Sequence, residues 1–275
     1  MNNPARWLAI TIAATVLGLA GWNWRLWWPG AAAPPPPAAA SGPVAAVPQV
    51  PPPTAAASQP VIRHPIGAAS APPLPEPAPS TIATALAALF GNEALATLVR
   101  SEGFVANLVA TVDNLGREKA PARLWPLVPP AGRFGTRGGE GGEAIAPENF
   151  ARYARHLAAL EKIDAGRLVA LYKRLYPQFQ QAYEDLGYPG RHFNDRVVEV
   201  IDLLLATPEP NGPIAVRQPP IQGPIRPERP WLLYEFADPA WQALPAGQQL
   251  LLRMGPDNER RVKAKLRELR RRLAP

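Results

Sequence analysis

The run ENFARYARHLAALEKIDAGRLVALYKRLYPQFQQAYEDLGYPGRHFNDRVVEVIDLLLATP, Glu148–Pro208, decides the fold class. Its apolar residues recur at helical spacing three times over. Phe150, Tyr153, Leu157 and Leu160 make the first stripe, opened by Pro147, whose ring pre-sets the first helical turn. Leu168, Tyr172, Leu175, Phe179 and Tyr183 make the second, over Ala165–Leu186, where Pro177 must kink the helix or divide it. Phe193, Val197, Ile201 and Leu204, broadened by Val200 and Leu205, make the third, and Pro208 ends it. Each stripe has to find a partner, so the expected fold class is mainly α, a compact helical bundle with minor extended segments. The tyrosines are expected at the core or its edge, each hydroxyl meeting a partner at the rim; the rival reading is an aromatic ligand cleft.

The densest polar group in the chain surrounds the joint between the second and third stripes. Tyr188, Arg191, His192, Asn194, Asp195 and Arg196 form this candidate polar site. His192 has the chemistry of a proton donor or acceptor near neutral pH, with Asp195 three residues on to orient it. The same spacing also describes an ordinary helix start, with Asn194, Asp195 and Glu199 serving local amides and Arg196. No serine, cysteine or metal cluster completes a catalytic set, so no catalytic residue is assigned. The chain has no cysteine, which excludes disulfides and thiolate chemistry, and its three histidines are far apart; neither a metal nor a cofactor is expected.

Upstream, Ser80 or Thr81 can cap ATALAALFG, Gly91 breaks that run, and GFVANLVATVDNL carries Phe104, Leu108, Val112 and Leu115 on one face. Asp113 and Asn114 read as helix-terminal polar residues. APARLWPLVPPAGRF is an irregular, proline-braced segment, and FGTRGGEGGEAI is either two short strands around a glycine tip or a loop. That tip lacks the Gly-Lys-Ser/Thr of a phosphate loop, and its Glu140 and Glu143 would repel an anion.

Downstream, EPNGPIAVRQPPIQGPIRPERP is a proline-rich excursion expected to wrap the bundle as an extended strip. Trp231–Phe236 then returns as a short strand, and Asp238 caps PAWQAL with Pro239 at the first helical position. The last helix begins at Pro256 and runs through Arg272. Its Val262, Leu266, Leu269 and Leu273 form a heptad-like seam, able to pack on another copy as a dimer contact. From Asp257 onward this helix has eight Lys/Arg against three acids, whereas Thr81–Pro256 balances 18 against 18. Arg260, Arg261, Lys263, Lys265, Arg267, Arg270, Arg271 and Arg272 therefore form a candidate basic contact surface for anionic lipid or an acidic envelope partner, or else an ordinary solvated face. No reading motif supports nucleic acid as the partner.

The N-terminal third sets the compartment. WLAITIAATVLGLAGWNW, Trp7–Trp24, is uncharged with tryptophans at both ends, and Leu26, Trp27 and Trp28 extend it past Arg25. Residues 1–6 are read as a cytoplasmic tail, 7–28 as a transmembrane anchor in the lipid bilayer, and 29–80 as a disordered Pro/Ala spacer. Residues 81–275 follow as the helical envelope domain. A signal peptide cleaved near Ala31–Ala33 is the rival. The spacer holds 17 prolines in 52 residues and too few large apolar side chains to offset the entropy of folding. Its only formal charges are Arg63 and Glu76.

FVANLVATVDNL, ENFARYARHLAAL, LYPQFQQAYEDLGYPGRHFNDRVVEVIDLLLATP, WLLYEFADPAWQAL and QLLLRMGPDN, taken in that order, resemble a known succession. It is that of the bacterial domain-of-unknown-function family 3014, single-span envelope proteins with a proline-rich spacer and a helical C-terminal domain. The resemblance covers Thr81–Leu273 and implies architecture without chemistry. The family's pattern has a carboxylate-rich opening before the first helix, where this chain has PEPAPSTIATAL. The resulting expectation is a single-pass protein of the bacterial inner membrane with its C-terminal domain in the periplasm. It would act as a scaffold or adaptor; the alternative is a periplasmic enzyme working through His192 and Asp195.

Overall fold

Pro177 divides its helix rather than bending it. In the computed structural model, which describes residues 61–67, 79–139, 142–219 and 233–274, Ala165–Arg174 (α6) stops at Leu175 and Tyr176–Asp185 (α7) restarts with the proline in its first turn. The proline has no N–H to give the preceding turn, so the helical hydrogen-bond ladder breaks there. The long first stripe is divided too, into Glu148–Ala151 (α4) and Ala154–Lys162 (α5). Before these come Pro79–Phe90 (α1), Asn92–Leu98 (α2) and Phe104–Leu115 (α3). After them come Phe193–Leu205 (α8), Pro239–Gln242 (α9), Ala246–Met254 (α10) and Pro256–Leu273 (α11). The described residues are thus mainly helical, with minor strands.

Those strands form one antiparallel sheet in the order β1-β2-β3-β4: Thr136–Gly139, Gly142–Ile145, Ala215–Arg217 and Glu235–Phe236. The hairpin and the returning strand match expectation. The first part of the proline-rich excursion does more than wrap, since Val216 faces Glu143 on one side and Phe236 on the other. Val216, Phe236, Ile145 and Leu252 bury together, so the sheet is pinned to α10 by its own apolar face. Buried Asn149 fastens the hairpin to α4, accepting from Gly135 N at 2.9 Å and donating to Ala146 O at 2.8 Å.

Around α8 the bundle closes. Val109, Leu175, Phe179, Tyr183 and Phe193 make one core cluster, joining α3 and α7 to the start of α8. Leu157, Val200, Leu204, Leu251 and Met254 make another on α5, α8 and α10. Gly247 permits the close approach of α10, because a Cβ there would stand 2.7 Å from Leu204 Cδ2 and 3.0 Å from Leu115 O. The seam of α11 is spent inside the domain: Leu273 buries with Val169, Val198 and Ile201, and Val262, Leu266 and Leu269 pack beside them.

Among the described residues no single helix is long and apolar enough to cross a membrane. The expected anchor at 7–28, the glycine tip at 140–141 and the strip from 220 to 232 lie outside the described residues, as do spacer residues 29–60 and 68–78. Within the expected spacer the structure describes residues 61–67. Those residues are seated on the domain, as described below.

Candidate functional site

The six residues of the polar joint separate into two clusters that share α8. The first is centred on Asp113, near the end of α3 and only 4% exposed. A carboxylate so buried is costly unless cations and donors surround it. Arg196 of α8 supplies Nε at 3.0 Å to one carboxylate oxygen and Nη2 at 2.8 Å to the Asp113 carbonyl. Arg117, one turn on, supplies Nε at 2.9 Å to the other oxygen, which also accepts from the Tyr188 hydroxyl at 3.1 Å. The guanidinium of Arg117 reaches the Tyr188 hydroxyl as well, and the charge of Asp113 is the main reason its pKa is raised. Arg196 also pairs with Glu199 at 3.0 Å. Tyr188 stacks on Tyr183 with ring centroids 4.6 Å apart, and the Arg191 guanidinium lies 5.9 Å from the Tyr188 ring centre. This cluster joins α3 to α8 across 83 residues of sequence.

The second cluster is built on Asn194 and Asp195 in the first turn of α8. Asn194 is 1% exposed. The Tyr172 hydroxyl donates to its Oδ1 at 3.2 Å, which fixes the amide and aims Nδ2 outward. That Nδ2 donates to His64 O at 2.8 Å, with Leu273 O a longer second acceptor at 3.4 Å. Asp195 accepts His64 N at 2.7 Å on one oxygen and Arg63 N at 3.1 Å on the other. Val61–Gly67, VIRHPIG, is therefore held by its main chain on the face that the sequence marks as the candidate site. His192 makes the turn into α8 with φ −95° and ψ 124°, and its side chain caps nothing. The exposed end of the helix is served instead by Gln180, which accepts from Phe193 N at 2.9 Å and donates to Arg191 O at 2.7 Å. Both clusters border a hollow of about 270 Å³ with Arg63, Tyr183, His192 and Glu199 in its wall.

Burial pushes the Tyr172 phenol well above its ordinary value, and burial likewise raises Tyr176 and Tyr183. Two of these phenols meet rim partners as expected, Asn194 for Tyr172 and Gln180 for Tyr176, and Tyr188 likewise meets Asp113. Among the described residues no group of three His, Asp or Glu side chains could hold a metal ion.

The basic surface on α11 is smaller than its sequence suggests. Lys263 does not belong to it: only 4% exposed, it pairs with buried Glu259 at 2.6 Å and donates to Thr207 O at 2.6 Å. Lys265 reaches Ile163 O at 2.9 Å and Glu268 at 3.3 Å. Arg261 grips Glu161 with Nη2 2.7 Å from Oε2, and Arg270 grips Asp202 at 2.9 Å. Arg272 sits 3.5 Å from Glu268, and Arg260 pairs with Asp257. Arg267 and Arg271, one turn apart and exposed, have no acidic partner among the described residues.

The family model described as "Protein of unknown function (DUF3014)" matches residues 104–270. The chain belongs to the DUF3014 family. The match begins at the first residue of α3 and ends near the close of α11, so it takes in Asp113, Asn194, Asp195 and Arg267, and stops one residue short of Arg271. Val61–Gly67 and α1 lie before it. No curated protein and no solved structure matches the chain.

Proposed function

We infer that the protein is a single-pass component of the bacterial inner membrane, anchored through residues 7–28. A Pro/Ala spacer would carry its helical domain into the periplasm, where the domain acts as an assembly or adaptor module. The observation that supports assembly over catalysis is the use made of the polar joint. Asp195, the group that would orient His192 as a base, gives both carboxylate oxygens to main-chain amides of the chain's own spacer. Arg196 and Tyr188 are taken up by Asp113. The polar residues hold segments together and leave no prepared acid–base pair.

The contact surface that remains is the pair Arg267 and Arg271, which suits an acidic patch on an envelope protein; anionic lipid is the rival for the same charges. Crosslinking the intact protein in living cells and identifying what is captured tests both. Arg267→Glu with Arg271→Glu disturbs none of the ion pairs described above, so loss of a reproducible protein partner in that variant supports the reading. A captured partner unaffected by the reversal, or recovery of lipid alone, overturns it. His192→Ala should leave partner capture and cellular function intact; loss of function with the partner retained favours the enzyme.

A further inference from the structure

VIRHPIG differs in composition from the alanine and proline around it. It holds both isoleucines of residues 29–80, Ile62 and Ile66, together with Val61, the histidine His64 and, in Arg63, one of the two formal charges. The same seven residues are seated on the domain. The chain bends at Arg63 and His64, which turns two successive N–H groups toward one side, where the Asp195 carboxylate accepts both. Pro65 fits this arrangement for two reasons. It restricts His64 to extended backbone, and it brings no N–H of its own to be satisfied. The next acceptor along, His64 O, meets the prepositioned Asn194 amide. The grip is on the main chain, and Val61 remains 82% exposed.

We propose that Asn194 and Asp195 form a recognition site for a bent peptide that presents two converging amides ahead of a proline. Its occupant is the chain's own Val61–Gly67, held in cis as a reversible latch. Eleven residues, 68–78, connect the latch to α1. A connection so short gives an effective concentration of about a millimolar, so a modest intrinsic affinity keeps the site filled. On the anchored reading, release would change reach. The chain free between residue 28 and its first attachment to the domain would grow from 33 residue steps to 51, an extended limit of roughly 100 Å against roughly 160 Å.

Amide hydrogen exchange in the full-length protein, in detergent micelles, tests the latch without reference to any partner. His64→Pro removes the shorter of the two amide bonds and leaves the domain untouched; Asp195→Ala removes the acceptor. Exchange over 61–67 should accelerate by about tenfold or more in each, the equivalent of one charge-assisted hydrogen bond. Exchange in α8 and α11 should stay unchanged in His64→Pro. A synthetic peptide of residues 58–68 should then bind full-length His64→Pro, bind wild type at least about tenfold more weakly, and fail to bind Asp195→Ala. Unchanged exchange at 61–67 in both variants, or a peptide that binds none or all of the three alike, overturns the proposal. A dimer that needs both the His64 amide and Asp195 would show exchange between copies and overturn the cis latch. Partner capture can fail while the latch stands, so the two readings fall separately.

Discussion

Asp113 and Asp195 are carboxylates at opposite ends of two helices in contact, and they are satisfied in opposite ways. Asp113 is sealed in the bundle and takes two guanidinium groups and a phenol, all side chains held by helices or their joints. Asp195 is half-buried in the first turn of α8, where the helix dipole already favours negative charge, and it takes two main-chain amides from a distant segment. A buried charge has to be matched by fixed partners and so becomes part of the fold. A partly solvated one can exchange protein amides for water at small cost, and so can serve as a reversible contact.

Removing Asp113 breaks this comparison most severely. Asp113→Ala leaves Arg196, whose side chain is mostly buried, with the exposed Glu199 as its remaining carboxylate, and should cost about 3 kcal/mol of unfolding free energy, measured by urea titration of the domain. Tyr188→Phe leaves both guanidinium contacts and deletes one hydrogen bond to the carboxylate, a loss of about 1.5 kcal/mol or somewhat more. Asp195→Ala should change global stability by less than about 1 kcal/mol, the size of a helix-dipole term, while freeing residues 61–67. A loss comparable to that of Asp113→Ala would mean that the two carboxylates do the same work.

The smallest effect is expected at the surface pair Glu161–Arg261, which sharpens the contrast from the other side. The hydrogen bond from Arg261 is the main reason that Glu161 lies below the ordinary glutamate value of 4.5. A depressed carboxylate contributes stability that is fully present above pH 4.5 and is lost as pH falls through its folded value. The difference in thermal midpoint between wild type and Glu161→Gln should therefore be slight at pH 7 and shrink further as the pH is lowered below 4.5. A difference that grows on acidification contradicts the assignment.

Much of the architecture was legible because its causes are local. The stripes over 148–208 named the helices, Pro177 marked the division between α6 and α7, and Gly-rich 138–142 marked the hairpin. Asp238 capped its helix as read, accepting from Ala240 N at 2.8 Å. Less could be read where a residue's meaning depends on what lies across from it. Lys263 looks like one more cation on a basic helix until Glu259 and Thr207 O enclose it. Asp113 looks like a helix-terminal polar residue until Arg196 arrives from 83 residues away. The strand at Ala215–Arg217 has little signal of its own, being three residues long and placed by neighbours on both sides. The one missed feature with a sequence trace is Val61–Gly67, where branched apolar residues and two polar heads interrupt the alanine and proline.

The sequence by itself determined a helical domain of the DUF3014 kind, the positions of its helices, and a polar concentration around residues 188–196. Helical period, proline geometry and capping act over a few residues, and the chain states them directly. Only the tertiary structure decided that the polar group is two sites, that the leucine seam and Lys263 face inward, and that a piece of the spacer belongs to the domain. Those outcomes depend on which charges and amides meet after segments as far apart as residues 63 and 195 are brought together, and no local pattern encodes that meeting.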